Sequence, residues 1–115
     1  MIQSKRSRHT NAFILLLLQE SSAAYGAQIL SRLETELPHC LSDSPSVYRA
    51  LQEMEEKAWV KSDWESKQTG PPRKWYNITD KGVAALHEYA KDIAQRQANF
   101  NFFLTHYAEL NPTNL

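Results

Sequence analysis

The feature that most constrains the fold is a change in hydrophobic period near residue 59. Before it, apolar residues recur at the spacing of one helical face: Val47, Leu51, Met54 and Ala58. After it, residues 59–65 and 73–78 are strand-like, rich in aromatic and β-branched side chains. The polar segment 66–72 between them contains Gly-Pro-Pro and cannot be helical. The sequence therefore predicts a helix followed directly by a β-hairpin.

Three more helices are predicted, two before this unit and one after it, and the helix of the unit is the third in the chain. The first has Thr10 or Asn11 as its N-cap and continues to about residue 19, apolar nearly all round like the central helix of a small bundle. The second covers about residues 24–37 and ends at a proline. Ser44 is the predicted N-cap of the third helix, with Pro45 at its first position. Thr79 and the next residue cap a last helix that continues to about residue 109.

The predicted fold is thus mainly α with a β-hairpin (α+β), a winged helix–turn–helix with a long C-terminal dimerisation helix. We expect residues 1–82 to form the DNA-binding domain and residues 83–115 the dimerisation helix, both in one structural unit. The apolar run 12–18 is far shorter than the ~20 residues that span a bilayer. A single cysteine, Cys40, excludes an internal disulfide and fits a reducing compartment. We therefore expect a soluble, cytoplasmic protein.

The charges are balanced overall but unevenly distributed. There are 13 basic and 13 acidic residues, whereas many nucleic-acid-binding proteins are strongly basic. In the third helix, residues 44–52 contain no acid, and Glu53, Glu55 and Glu56 follow. Only the first half is therefore suited to the negatively charged major groove of DNA. The predicted contacts in this half are Ser44, Ser46, Tyr48, Arg49 and Gln52.

Individual roles follow from side-chain chemistry. Arg49 is the candidate for base recognition, because its guanidinium matches guanine O6 and N7. Ser46 and Tyr48 are better suited to phosphate, although Tyr48 could equally be a packing residue. An exposed helix face without function is the alternative for Ser46 and Arg49.

Two further basic segments could reach the flanking DNA backbone. The hairpin tip carries Lys67, Arg73 and Lys74, and the N-terminal arm carries Lys5, Arg6 and Arg8. Together with Arg49, these are seven of the 13 basic residues. An ordinary exposed turn and an arm without function are the alternatives.

The last helix carries apolar residues spaced alternately by three and four, as in a coiled coil. The positions are Val83, Leu86, Ala90, Ile93, Gln97, Phe100, Leu104 and Tyr107. Packing against a second copy of the chain explains this pattern, and packing against the first helix is the alternative. Gln97 either fixes the register of the pair or lies at its edge.

The motifs resemble those of the PadR family of winged-helix transcriptional regulators, over about residues 12–88. They are Ala-Tyr-Gly at 24–26, Ser-Pro-Ser-Val-Tyr at 44–48 with Leu51, Glu-Met-Glu-Glu-Lys at 53–57 before Trp-Val, and Arg-Lys-Trp-Tyr-Asn-Ile-Thr-Asp-Lys-Gly at 73–82 with Leu86. Ala58 occupies a position where the family commonly has glycine, and alanine makes a left-handed helix end energetically less favourable.

The resemblance implies a homodimer that binds a pseudo-palindromic operator in double-stranded DNA and usually represses. Some short members bind aromatic compounds between the subunits, and one extends the circadian period of cyanobacteria by repressing a clock gene. The resemblance here is at the level of the family. Side chains that could line an aromatic effector pocket are Phe100, Phe102, Phe103 and Tyr107, although such residues are more often core.

Other classes are less well supported by the residues. Three glycines cannot build a phosphate-binding loop, and Cys40 beside His39 is not a nucleophile–base pair by adjacency alone. The possible metal ligands show no paired ligand spacing, so no metal or cofactor is predicted: they are His9, His39, Cys40, His87 and His106. A winged helix that binds proteins and not DNA is the remaining alternative.

Overall fold

The computed structural model describes residues 9–40, 42–65 and 70–113. Within these ranges the chain forms four helices and a three-stranded antiparallel sheet. In chain order the elements are α1 (Thr10–Ser21), β1 (Ala24–Tyr25), α2 (Gly26–Glu36), α3 (Ser44–Glu56), β2 (Val60–Glu65), β3 (Arg73–Ile78) and α4 (Asp80–Leu110). This is the α+β winged-helix architecture with a long C-terminal helix that the sequence predicts.

The core is built around α1, which packs against α2, α3, α4 and β3. Its buried side chains include Ile14, Leu15 and Leu18, none of which has any exposed surface. They meet Val47, Leu51 and Met54 of α3, so three members of the predicted stripe in that helix are confirmed. The fourth, Ala58, lies beyond the end of α3 and is exposed.

The sheet has the order β1-β3-β2, with β3 in the middle. The hairpin register runs from Val60 opposite Ile78 to Glu65 opposite Arg73. β1 was not predicted, because residues 24–37 were expected to be one helix. Ala24 and Tyr25 instead pair with the other edge of β3, which supplies backbone partners that a sequence pattern cannot show.

Two predicted helix caps are wrong and one is confirmed. Neither Thr10 nor Asn11 caps α1, because the helix already begins at Thr10 and His9 is at the cap position. The Thr10 side chain is buried and hydrogen-bonds the Ser42 hydroxyl at 2.8 Å. The N-cap of α3 is Asp43, whose carboxylate accepts from the Ser46 amide at 3.0 Å, while Ser44 is already helical. Asp43 outcompetes it because a charged oxygen is the stronger acceptor at a helix N-terminus. Thr79 caps α4 as predicted, accepting from the Gly82 amide at 3.1 Å.

The start of α4 is fixed against the junction between α3 and β2. Ala58 there has a left-handed φ of 62°. The Thr79 hydroxyl lies 2.6 Å from the Ala58 carbonyl oxygen and 3.0 Å from that of Trp59. Gly82 packs so closely on this junction that an added Cβ would overlap the Trp59 carbonyl oxygen. The start of α4 is therefore held against the backbone of Ala58 and Trp59, directly before the wing.

From this anchor α4 continues for 31 residues, about 46 Å at the helical rise. The first half packs on α1, with Leu86 and Tyr89 against the core. The second half extends beyond the other described elements, and the molecule measures 62 × 29 × 28 Å.

Candidate nucleic-acid interface

The first half of α3 presents a polar face to solvent. Ser44, Tyr48, Arg49 and Gln52 are exposed, with Tyr48 at 47%. The opposite face is buried against α1. The structure therefore brings four of the five predicted contacts onto one accessible helix surface that contains no carboxylate before Glu53.

Ser46 is the exception among these five residues. It is only 9% exposed, because the turn of the helix places it on the side of Ala50 and Met54, which face the core. Ser46 nevertheless lines a polar cleft together with Arg49, and its role as a phosphate contact stays a prediction. The backbone amide of Ser46 completes the cap with Asp43.

Tyr48 lies across the start of α2. A Cβ added at Gly26 would overlap the Tyr48 ring, so only glycine permits this approach. The ring is half covered by that contact and half exposed. Tyr48 thus combines the packing role and the surface role that the sequence left as alternatives.

A groove of about 590 Å³ separates α3 from the hairpin. We call it the wing groove. Its lining residues are Tyr25, Gly26, Ala27, Tyr48, Trp64, Pro72, Arg73, Lys74 and Tyr76. Among the described residues it is lined by aromatic rings and two cations, with no carboxylate. A negatively charged, partly apolar partner fits this lining.

The two cations of the wing groove are held differently. The Arg73 guanidinium lies 4.5 Å from the centre of the Tyr25 ring, and the Arg73 residue is exposed to solvent. The Lys74 ammonium lies 3.1 Å from a Glu55 carboxylate oxygen, and its side chain is 32% exposed. Lys74 is therefore less available than a wing-tip lysine was expected to be.

Glu55 ties the recognition helix to the hairpin. Its carboxylate accepts from the Ser62 hydroxyl on β2 and pairs with Lys74 on β3. The Ser62 hydrogen bond, and then the Lys74 ammonium, hold the pKa of Glu55 below its usual value. The same carboxylate raises the pKa of Lys74. Both groups stay charged at neutral pH, so the pair links α3 to the wing.

The remaining predicted cations, Lys5, Arg6, Arg8 and Lys67, lie outside the described residues. The start of α1 is nevertheless informative. Thr10 and Asn11 line a polar cleft of about 260 Å³ together with Arg49 and Glu53. The point at which residues 1–8 join the fold is therefore beside the exposed face of α3.

Comparison with known proteins identifies this arrangement. The model of the transcriptional regulator PadR-like family matches residues 14–88 of the 115. The chain belongs to the PadR-like family of transcriptional regulators. No curated protein matches significantly.

Solved structures of PadR-like proteins have the same fold. A PadR family transcription regulator from Clostridium difficile is 26% identical, with a TM-score of 0.71, over 84% of this chain and 98% of that one. A PadR-like transcription factor from Bacteroides fragilis is 26% identical, with a TM-score of 0.68, over 85% and 92%. Bacillus subtilis PadR, solved in complex with operator DNA, is 25% identical, with a TM-score of 0.65, over 72% and 47%.

Sequence reasoning missed three aromatic residues of the wing groove in this PadR-like chain, Tyr25, Trp64 and Tyr76. Trp64 is 65% exposed. Its alternation with Ser62 along β2 was a usable signal, because both then face the same side of the sheet as α3. Tyr25 carried no such signal, since β1 forms only by pairing with β3.

The distal part of α4 carries a series of exposed apolar side chains. Their exposed fractions lie between 49% and 81%, for Phe100, Phe102, Phe103, Leu104 and Leu110. Phe102 stacks on His106, and Phe103 on Tyr107, within the helix itself. Among the four candidate effector-pocket residues, Phe100 lines a cleft of about 330 Å³ with Phe13 and Ile93.

Two other properties concern the described residues alone. No helix among them combines the length and the apolar character needed to cross a membrane. No three of their His, Cys, Asp or Glu side chains are grouped so as to hold a metal ion.

Proposed function

We propose that this PadR-like regulator binds double-stranded DNA as a homodimer, with the first half of α3 in the major groove. The observation that carries the proposal is the acid-free, exposed face of Tyr48, Arg49 and Gln52 beside a cationic groove. A major groove accepts one helix, and phosphates repel carboxylates, so the acids from Glu53 onward must stay outside.

Within this geometry the side chains have separate tasks. Arg49 pairs with guanine in the major groove, and Gln52, one turn further along α3, reaches an adjacent base edge. Ser44 and Tyr48 donate to phosphates and set the register of the helix. The basic arm with Lys5, Arg6 and Arg8, and Lys67 in the wing, add backbone contacts. The balanced net charge is compatible with this, because residues 44–52 of α3 contain no acid.

The exposed apolar side chains of distal α4 support the dimer. Contiguous apolar surface of this kind is uncommon on a monomer. Pairing of two such helices would bury Phe100, Leu104 and Tyr107 and place two recognition helices on one side of the assembly. A separation of ~34 Å would match successive turns of a pseudo-palindromic operator. Bacillus subtilis PadR, a longer relative, has been solved on operator DNA.

Repression, cytoplasmic action and an aromatic effector between the subunits are the finer parts of this proposal. Repression and the effector come from the resemblance to the family, and cytoplasmic action comes from the single cysteine and the short apolar run. The apolar cleft of Phe13, Ile93 and Phe100 would adjoin such an effector.

Selection of bound sequences from a random duplex pool tests DNA binding and the symmetry of the operator together. Gel-shift titration with the selected duplex should then show Arg49→Ala binding about 5- to 150-fold more weakly, since a bidentate base contact is worth ~1–3 kcal/mol. Lys91→Ala is the matched control, because it also removes an exposed cation but lies on α4. Equal affinity of the Arg49→Ala variant and the wild type would refute the assignment.

Salt dependence distinguishes this function from a winged helix that binds only proteins. Binding through six to ten phosphates should weaken by about 10³- to 10⁵-fold between 50 and 200 mM salt. A chain that enriches no duplex from the pool, and shows no salt-dependent DNA binding, would instead belong to the protein-binding class.

A further inference from the structure

The Trp64 side chain is largely exposed, and packing within the fold does not explain why a tryptophan stands at this position. Two thirds of its surface is accessible, whereas the other two tryptophans pack on neighbours. Trp59 meets Tyr89, and Trp75 meets Tyr25 and donates to Glu65. In the hairpin register Trp64 lies opposite Lys74, whose ammonium is 5.8 Å from the centre of its ring. Trp64 shares the wing groove with Tyr48, which is 47% exposed, and contiguous exposed rings of this kind indicate a contact surface.

We propose that the wing groove holds the sugar–phosphate backbone of one DNA strand, with Trp64 packed against deoxyribose. This inference rests on the proposed function and names a contact within it. The aromatic faces of Trp64 and Tyr48 suit the apolar side of the sugar. The indole N–H of Trp64 and the Tyr48 hydroxyl are donors for phosphate oxygens.

The position of Tyr48 argues for DNA as the occupant. Tyr48 belongs both to the exposed face of α3 and to the lining of the wing groove. A duplex that takes α3 into its major groove has one backbone bordering that groove. The hairpin stands on the far side of this border, so the backbone must pass between Tyr48 and Trp64.

The charge of the groove agrees with this occupant. Among the described residues, both ionisable lining groups other than tyrosine are cations, Arg73 and Lys74. Glu55 partly neutralises Lys74. The Arg73 guanidinium stacks on Tyr25, and the alternation of β3 directs it to the sheet face opposite Lys74, so it meets a phosphate at the rim of the groove. The groove therefore combines a partly paired cation, Lys74, with the rings of Trp64 and Tyr48.

Titration of the selected duplex with Trp64 variants tests the proposal. Trp64→Ala should weaken binding about 10-fold or more, because the apolar area that the ring buries against the sugar is lost. Its dependence on salt should be unchanged, because no charge is lost. Arg73→Gln should lower the slope of that dependence by about one counterion. Trp64→Phe should stay within about threefold of the wild type, since it keeps a ring.

The matched control is Lys61→Ala, which alters an exposed residue of the same strand on the opposite face of the sheet. It should affect binding less than Trp64→Ala, although it removes a positive charge. Intrinsic fluorescence provides a second readout. DNA should quench the wild type, and Trp64→Phe should lose that part of the quenching while it still folds and binds.

The outcomes distinguish the proposal for the wing groove from the proposed function of DNA binding. Wild-type affinity of Trp64→Ala, or unchanged quenching in Trp64→Phe, would overturn the groove while DNA binding stands. Failure of the wild-type protein to bind any duplex would overturn both. If Trp64→Ala unfolds, the phenylalanine variant and its fluorescence still decide the matter.

Discussion

The two halves of α4 are one continuous helix but differ in what stabilises them. The first half is held by its own chain: Thr79 caps it, Gly82 packs on the Trp59 carbonyl, and Tyr89 meets Trp59 with ring centres 6.1 Å apart. In the second half, the recorded aromatic contacts join two residues of α4 itself, as between Phe103 and Tyr107.

This difference separates folding from assembly. The first half completes the core of the winged helix, so its sequence is constrained by residues of the same chain. The second half exposes apolar side chains that its own chain does not cover in the described structure. Helical propensity alone gives marginal stability to an isolated segment, and burial of an amphipathic face against another surface supplies the rest. We therefore expect changes in the first half to unfold the protein and changes in the second to dissociate it.

The largest expected effect is loss of the dimer. Phe100→Glu combined with Leu104→Glu places two charges in the predicted interface, where burial without partners is costly. Sedimentation should show a monomer, circular dichroism should retain most of the helix content, and DNA affinity should fall by at least about 100-fold as the second half-site contact is lost.

Asn101→Glu is the control for this pair, because it adds a charge at an exposed position between them that lies off the three–four seam. It should leave a dimer. Dissociation by Asn101→Glu, or a dimer that survives the double substitution, would contradict the proposed division of α4.

The next largest effect concerns the first half. Gly82→Ala forces a methyl group onto the Trp59 carbonyl oxygen, which is backbone and cannot move aside. We expect a loss of about 3 kcal/mol in the free energy of unfolding, the upper part of the range for overpacking. Chemical denaturation at fixed protein concentration measures it. Lys81→Ala, at the exposed neighbouring position, should be nearly neutral; equal effects of the two would show that the close contact is not limiting.

The smallest effect should be a gain in stability. Ala58 has a φ of 62°, and relief of this left-handed strain is worth ~1–2 kcal/mol, offset by the ~0.5–1 kcal/mol entropic cost of glycine. Ala58→Gly should therefore stabilise the junction that supports α4 by about 0.5–1 kcal/mol, measured by thermal unfolding. Ala84→Gly, an exposed position inside α4, should instead destabilise by about 1 kcal/mol. If both variants were less stable than the wild type, the proposed strain at Ala58 would be refuted.

Local signals in the sequence were sufficient for most of the fold. The three–four pattern of α3 and the alternation with a Gly-Pro-Pro turn place the helix and hairpin correctly, and β3 has the predicted limits. The cap at Thr79 was also correct, since a threonine before Asp is a local signal. The prediction at Ser44 was wrong because Asp43 offers a stronger acceptor one residue earlier.

Long-range contacts explain what could not be predicted. Ala24 and Tyr25 become a strand only because β3 has a free edge beside them. Lys74 was expected at the wing tip as a DNA contact, but its pairing with Glu55 requires α3 and β3 to meet. Residues that are far apart in the chain carry no periodic pattern that relates them.

For the proposed interface, the sequence by itself determined the acid-free first half of α3 and the aromatic series in α4, because charge and hydrophobicity are properties of the residues. Tertiary structure decided which of these groups are available. Packing on α1 buried Ser46, the contact with Gly26 held Tyr48 beside the wing, and the meeting of helix and hairpin created the wing groove with Trp64 at its wall. Accessibility depends on neighbours supplied by other segments, and only the folded chain brings them together.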